Sequence, residues 1–521
     1  MKSLKSYLCV LLAVALMVTL VTGCGNQDKA ERPEDAGARA LLKEADRLYG
    51  EQMFTEAAKT YLEAMELFEQ DTEDGEAGEK ALECRNAIER ITYFLVTYEL
   101  TEEEIRQGIA ETYPQVSEAE ANKWLEGDEL EKMEVDGETR YFTSAVDNLA
   151  YRYTELMHAN QAKNETYAEL VKNILGAFPE AAYSEWQPYG DPVAYRTTGN
   201  IDIPREELPD EGLFQIWIPL PILTGPQNPV SLVSVTPDTY AKQPPSQDED
   251  IGLLYLEVPL EELDSNLAVE YVFEFTHFTQ LFEIDPDNVG SYNEDSAEYL
   301  QYTKSYGNTL ITDEIREAAA SVVGDEKNPY FQARMLYDYI LEEIKYSLMP
   351  HFTMWPRGVP ESEYVHQMKR GDCGAQSMYF SALCRSLGIP ARTTGGWQLF
   401  TGELSGHFWA EFLLPNYGWI PVDPTAAEIA DLTNLITPEE DRRFKDFFFG
   451  GQDPMRCVVQ LDVDLPLVPP ADGEIFLPLA VQNPVANCST FIEIPPSVVV
   501  LENHTYSTEV VSGRPVAGEH I

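Results

Sequence analysis

The stretch GDCGAQSMYFSALCRSLGIPAR, Gly371 to Arg392, decides how the chain is read. Phe380, Leu383, Cys384 and Leu387 recur at helical spacing and predict a helix with one apolar stripe. Gly388 suits a left-handed cap and Pro390 forbids continuation, so the helix stops there. Asp372 stands where an N-cap belongs. Cys373 is thus placed at the positive end of a helix about four turns long. That end favours a thiolate and offers backbone N–H groups to an oxyanion. Cys384 lies on the apolar stripe and reads as a small core residue.

A nucleophilic cysteine needs a base. GHFWAEFLLPNYGWIPVDPT, Gly406 to Thr425, reads as strand, turn, strand. His407 and Asp423 are equidistant from Pro415, so a hairpin centred there sets them opposite one another on one face. A centre shifted by half a residue breaks that parity. His407 is placed to take the thiol proton, and Asp423 to fix the imidazole tautomer and favour its charged form. His158, His277, His351, His366, His504 and His520 have no comparable context in the sequence.

These blocks resemble the transglutaminase-like superfamily of papain-type folds. The similarity rests on RGDC at 370–373, CRSLGIPAR at 384–392, GHFWAEF at 406–412 and GWIPVDPT at 418–425, and spans residues 310 to 455. FFFGGQDPMR, ending at Arg456, and the strand-rich region before the core resemble the flanks of secreted bacterial members. The resemblance implies a cysteine helix packed on an antiparallel sheet, with Cys373, His407 and Asp423 as catalytic triad. It also implies a side-chain oxyanion donor upstream of the cysteine, for which Trp355 is the candidate.

The first residues, MKSLKSYLCVLLAVALMVTLVTGC, carry Lys2 and Lys5, then an apolar run, then Gly23-Cys24. That is the layout of a signal peptide. Leu20 to Cys24 resembles a bacterial lipobox, so Cys24 is expected to carry lipid and tether the chain outside the cytoplasm. No other stretch is long and apolar enough to span a membrane. The formal charge of −53 opposes binding to nucleic acid. Setting aside Cys9 and Cys24 leaves Cys84, Cys373, Cys384, Cys457 and Cys488, an odd number, with Cys457–Cys488 the pair considered. DPDNVG at 285–290 opens like a calcium loop, but Val289 and Ser296 fill ligand places. No zinc-ligand spacing occurs, and no metal or cofactor is expected.

The expected fold class is a multidomain α+β chain. A signal peptide (1–23) and a polar tether (24–36) precede a tetratricopeptide-like helical hairpin region at 37–98, which also reads as a plain helical hairpin. Residues 99–200 read as helices with a small hairpin and a linker, with capping boxes at Thr101/Glu104 and Ser117/Glu120 and a Pro- and Gly-rich boundary from Pro188. A β-sandwich-like domain (201–305), the transglutaminase-like core (306–455) and a short β-rich C-terminal region (456–521) complete it.

Two functions of different class follow. The first is a cell-surface cysteine enzyme cleaving or transferring amide acyl groups, with hydrolysis favoured and extracellular protein or cell-wall peptide as substrate. The second is a non-catalytic surface binding or scaffold lipoprotein built on the same core.

Overall fold

The computed structural model describes residues 33–70, 75–178, 188–400, 402–471, 475, 479–488 and 499–515. The signal peptide and Cys24 lie outside the described residues. The chain divides into two compact units, Met1–Val146 and Asp147–Ile521.

The first unit is mainly helical. Helices Pro33–Gly50, Phe54–Glu69 and Gly75–Thr97 approach closely because Ala38, Ala45, Ala57, Ala64 and Ala81 are buried between them. Phe54 stacks on Phe94 at 4.7 Å. The first helix already runs from Pro33, so the last four residues of the expected tether are helical. Thr101 and Glu104 close a reciprocal capping box, and Ser117 caps through Glu120 N–H. Asp136 and Gly137 both take positive φ and turn strand Lys132–Val135 into Glu138–Tyr141.

The second unit is built on three antiparallel sheets. In the first, Leu267–Leu281 pairs with Tyr189–Ile203, with Gln227–Thr236 and with the short strand Gly451–Gln452. Its burial alternates along most of its length, with Val269, Tyr271, Phe273 and Phe275 inward. In the second, Leu213–Pro219 pairs with Leu253–Pro259 and with Val485–Cys488. Phe214, Ile216, Ile218, Leu254 and Leu256 join the inward residues of the first sheet in one core.

Two expectations change here. The boundary expected from Pro188 is a strand, Tyr189–Ile203. Pro192 is accommodated at a register shift, where no ladder N–H is required. Gly199 lies under the Tyr271 ring, where a Cβ would sit 2.2 Å from the ring carbon Cζ. The C-terminal strands also form no separate layer. Arg456–Gln460, Val485–Cys488 and His504–Ser512 each extend a different sheet.

The third sheet has the order Gly418–Val422, Ser405–Leu414, Ala391–Gln398, Arg456–Gln460. Helix Cys373–Ser386 packs against its two central strands. Ser381 shares a 3.1 Å hydrogen bond with Thr393, and the Phe380 ring lies 6.4 Å from Phe412. Helices Asp313–Val323 and Pro329–Glu343 flank the cysteine helix, the first capped by Thr312 and the second by Asn328 with Pro329 at its first position. Arg385 and Arg392 of the CRSLGIPAR block hold this layer together. Arg385 is paired with Asp462 at 2.7 Å, and Arg392 with Glu411 at 2.6 Å while lying 4.0 Å over the Trp419 ring.

Candidate active site

Cys373 opens its helix, and Asp372 caps it. Asp372 Oδ1 accepts from Ala375 N–H at 3.0 Å. The helix start presses against the sheet at Phe408. A Cβ at position 374 would lie 3.1 Å from Phe408 Cδ2, so glycine permits the contact. Cys373 packs there with Phe408 and Met378 and is partly exposed. Cys84, Cys384 and Cys457 are buried free thiols, and the Cys488 side chain lies outside the described residues.

His407 lies near the start of the 405–414 strand and Asp423 one residue past the 418–422 strand. The hairpin is centred on Asn416, which takes φ of 74°, and not on Pro415. Ala410 pairs with Val422, so the register continued one step sets Trp409 opposite Asp423. The shift is a whole residue, so face parity survives and His407 meets Asp423 diagonally. His407 Nε2 lies 2.8 Å from Asp423 Oδ2. Both are buried, at 8% and 1% exposure.

Asp423 is held by five hydrogen bonds. Its backbone N–H donates to Phe448 O at 3.0 Å. Its Oδ1 accepts from Ala426 N–H at 2.9 Å and from Thr425 Oγ1 at 3.3 Å. Its Oδ2 accepts from the Arg456 guanidinium as well as from His407. Arg456 is fully buried, also bonds Asp453 Oδ2 at 2.8 Å and lies 5.4 Å over the Trp409 ring. His407 and the Arg456 guanidinium hold the Asp423 carboxyl well below the usual carboxylate range, against the opposing effect of burial. Gln482 braces the strand, its Nε2 donating to His407 O at 2.9 Å and Gly396 O at 2.7 Å.

The surroundings of the sulfur oppose the thiolate expected at this helix start. Burial pushes the Cys373 thiol up, and the Asp372 and Asp423 carboxylates push it further. The backbone N–H groups of Phe408 and Gly374 act the other way without prevailing. Among the described residues, no hydrogen bond joins Cys373 to His407. Strand alternation turns Phe408 to the helix and sets His407 on the face of Trp409, whose ring lies 6.2 Å away. Cys373 meets the sheet at Phe408, beyond the last paired residue of the 418–422 strand.

Trp355 lies on the short turn Trp355–Arg357, 41% exposed. The helix N–H of Ala375 is taken by Asp372, so it is not open to an oxyanion. Residues with no sequence signal of their own also gather here. His351 Nε2 lies 2.5 Å from Asp372 Oδ2, and its Nδ1 lies 2.8 Å from Glu361 Oε1. This corrects the reading of His351 as a histidine without context. Gln376 Nε2 bonds Gly371 O at 3.1 Å and Glu428 Oε2 at 3.0 Å, tying the cysteine helix to the turn after Asp423.

The family model for the transglutaminase-like superfamily matches residues 316–424, which contain Cys373, His407 and Asp423. Residues 316–424 are a transglutaminase-like domain. A protein-glutamine gamma-glutamyltransferase of Pseudomonas aeruginosa is 28% identical over 125 residues, covering 22% of this chain and 17% of that protein. An uncharacterized protein of Haemophilus influenzae is 27% identical over 186 residues, 31% of this chain and 48% of that one. The chain thus spans less than half of either relative. A solved structure from Cytophaga hutchinsonii is 12% identical, with a TM-score of 0.38, over 63% of this chain and 93% of that one. The Arg456–Asp453 pair lies beyond the residues matched to the transglutaminase-like domain, as does the Gln482 brace. Among the described residues, no group of carboxylate, histidine and cysteine side chains could hold a metal ion, and no helix is long and apolar enough to cross a membrane.

Proposed function

We propose that the chain is an extracytoplasmic cysteine enzyme, lipid-anchored through Cys24, that cleaves or transfers amide acyl groups through Cys373, His407 and Asp423. The observation that carries the reading is the buried His407–Asp423 couple within a transglutaminase-like domain whose cysteine opens a capped helix.

The atoms have defined roles. His407 Nε2–H donates to Asp423, so Nδ1 is the basic nitrogen. When a substrate carbonyl seats at the helix start, the Cys373 thiol proton passes to His407 Nδ1 and the sulfur bonds to the carbonyl carbon. The tetrahedral adduct then expels the amine, which takes the proton from Nδ1, and a thioester remains. Water attacks the thioester to release an acid and the free thiol. A second amine in place of water gives transamidation. Asp423, held ionised by Arg456, stabilises the imidazolium formed in each half. The neutral resting thiol places proton transfer within the attack step, as general-base catalysis.

Hydrolysis is the favoured outcome, with peptide or protein, including cell-wall peptide, as substrate. The non-catalytic scaffold reading has one observation in its favour, the absence of a resting Cys373–His407 hydrogen bond among the described residues. The test incubates the full chain with casein, cell-wall stem peptides and a fluorescent primary amine, and follows new amino groups and amine incorporation. New amino groups should exceed incorporated amine, and Cys373→Ala should abolish both while circular dichroism is unchanged. Turnover persisting in Cys373→Ala, or none from the parent chain, overturns the reading.

A further inference from the structure

One residue before the nucleophile, the Asp372 carboxylate divides its two oxygens. Oδ1 holds the helix through Ala375 N–H at 3.0 Å, and Oδ2 holds His351 Nε2 at 2.5 Å. The other ring nitrogen of His351 lies 2.8 Å from Glu361 Oε1. Glu361 is buried, and its Oε2 has no hydrogen-bond partner among the described residues. An imidazole with a carboxylate oxygen at each nitrogen must donate at both to satisfy them, which is the protonated form.

We propose that His351 is a positioning residue for Cys373, an imidazolium that spans Asp372 and Glu361 and cancels the carboxylate charge one residue from the sulfur. The proposal rests on the reading of Cys373 as nucleophile.

The physical need is plain. A lone carboxylate beside a thiol opposes the negative sulfur that attacks the carbonyl, and Asp372 is the foremost charged neighbour of Cys373. Yet Asp372 is required as the cap that sets the helix start. His351 lets it keep that role by setting a positive charge against it, shared with Glu361. Both carboxylates hold the ring protonated well above the ordinary histidine range, against burial. His351 in turn holds Asp372 below the ordinary carboxylate range, again against burial. The other charged or titratable groups around this cluster include Asp423, Tyr346 and Glu428 near Cys373 and Asp372, and Asp464 beside Glu361. Arg370, two residues before Asp372, is a buried cation on the short strand that leads into the helix. His351 is the cation in hydrogen-bond contact with Asp372 Oδ2. The pairing depends on tertiary packing, because His351 and Glu361 sit on separate short helices, His351–Met354 and Glu361–Met368.

The experiment is the pH profile of Cys373 alkylation by iodoacetamide in the full chain, read by peptide mass spectrometry. His351→Gln should raise the midpoint by about one pH unit, a tenfold slowing below the midpoint. Asp372→Asn added to His351→Gln should return the midpoint to the parent value or below, because Asn caps a helix as well as Asp but carries no charge. A lower melting temperature with an unmoved midpoint, or no rescue by Asp372→Asn, overturns the proposal. Should His351→Gln fail to fold, histidine 15N spectra of the parent chain decide. His351 should keep both ring protons above pH 8, and loss of one near the ordinary value of about 6.5 overturns the proposal. The nucleophile reading fails separately, through turnover retained by Cys373→Ala.

Discussion

Asp423 Oδ2 is shared between two partners, His407 Nε2 at 2.8 Å and the buried guanidinium of Arg456. Arg456 also binds Asp453, so two buried carboxylates depend on one arginine. The triad carboxylate is therefore part of a structural charge cluster. Its position does not depend on substrate.

Replacing Asp423 by asparagine should lower kcat about 10²–10⁴-fold with KM little changed. The amide keeps the shape but offers an N–H to a nitrogen that must itself donate. Steady-state kinetics on whichever casein or stem-peptide bond is cleaved provides the measurement. A kcat within threefold of the parent would remove Asp423 from the mechanism.

Arg456→Met should destabilise the Asp147–Ile521 unit by about 3–5 kcal/mol, because it leaves Asp423 and Asp453 buried without their cation. Asp453→Asn in the same background should recover part of the loss by removing one uncompensated charge. Urea unfolding of the parent and the two variants tests this, and equal stability of parent and Arg456→Met contradicts it.

Glu428 makes stability fall as pH rises. Burial pushes its carboxyl up to about 8 from an ordinary 4.5, with Gln376 opposing. Between those values the folded chain keeps a proton that the unfolded chain has lost, so unfolding is favoured as pH climbs through the window. His277 acts on the other side. Its burial and the Arg456 charge push it down to about 3 from 6.5, so stability is lost as pH falls through that interval. Glu428→Gln should raise stability at pH 8.5 by a few kcal/mol, on the order expected for a shift of this size, and leave the acid limb unchanged. A parallel shift at pH 5 and pH 8.5 in urea titrations would show that ionisation of Glu428 is not responsible.

The cysteine helix was legible because its signals are local. Asp372 begins it, Gly388 and Pro390 stop it, and the stripe between them packs as its spacing implies. The His407–Asp423 parity was legible from the two-residue period of strands. The register was not, because Asn416 at positive φ moves the turn centre by a full residue. Strand Tyr189–Ile203 was hidden by Pro192 and Gly199, breakers whose roles depend on a bulge and on the Tyr271 ring. The C-terminal strands read as strands, but Val485–Cys488 and His504–Ser512 find partners hundreds of residues earlier, and no local pattern names them. His351 and Arg456 escaped for the same reason, since their meaning comes from carboxylates 21 and 33 residues away. Helix polarity favours a thiolate at the helix start, and the burial and two carboxylates that oppose it are set by tertiary packing that no local pattern shows.

The central claim is that His407 serves Cys373, and the rate of Cys373 alkylation near pH 7 in the parent chain and in His407→Ala tests it most directly. Exposure alone makes Cys373 more accessible than buried Cys84, Cys384 and Cys457, so faster labelling of Cys373 would not suffice. Competitive iodoacetamide labelling with peptide mass spectrometry gives each rate separately. The account predicts that His407→Ala slows Cys373 by about tenfold or more near neutral pH and much less near pH 10, where hydroxide supplies the thiolate. Equal Cys373 rates in the two proteins across that range would contradict it.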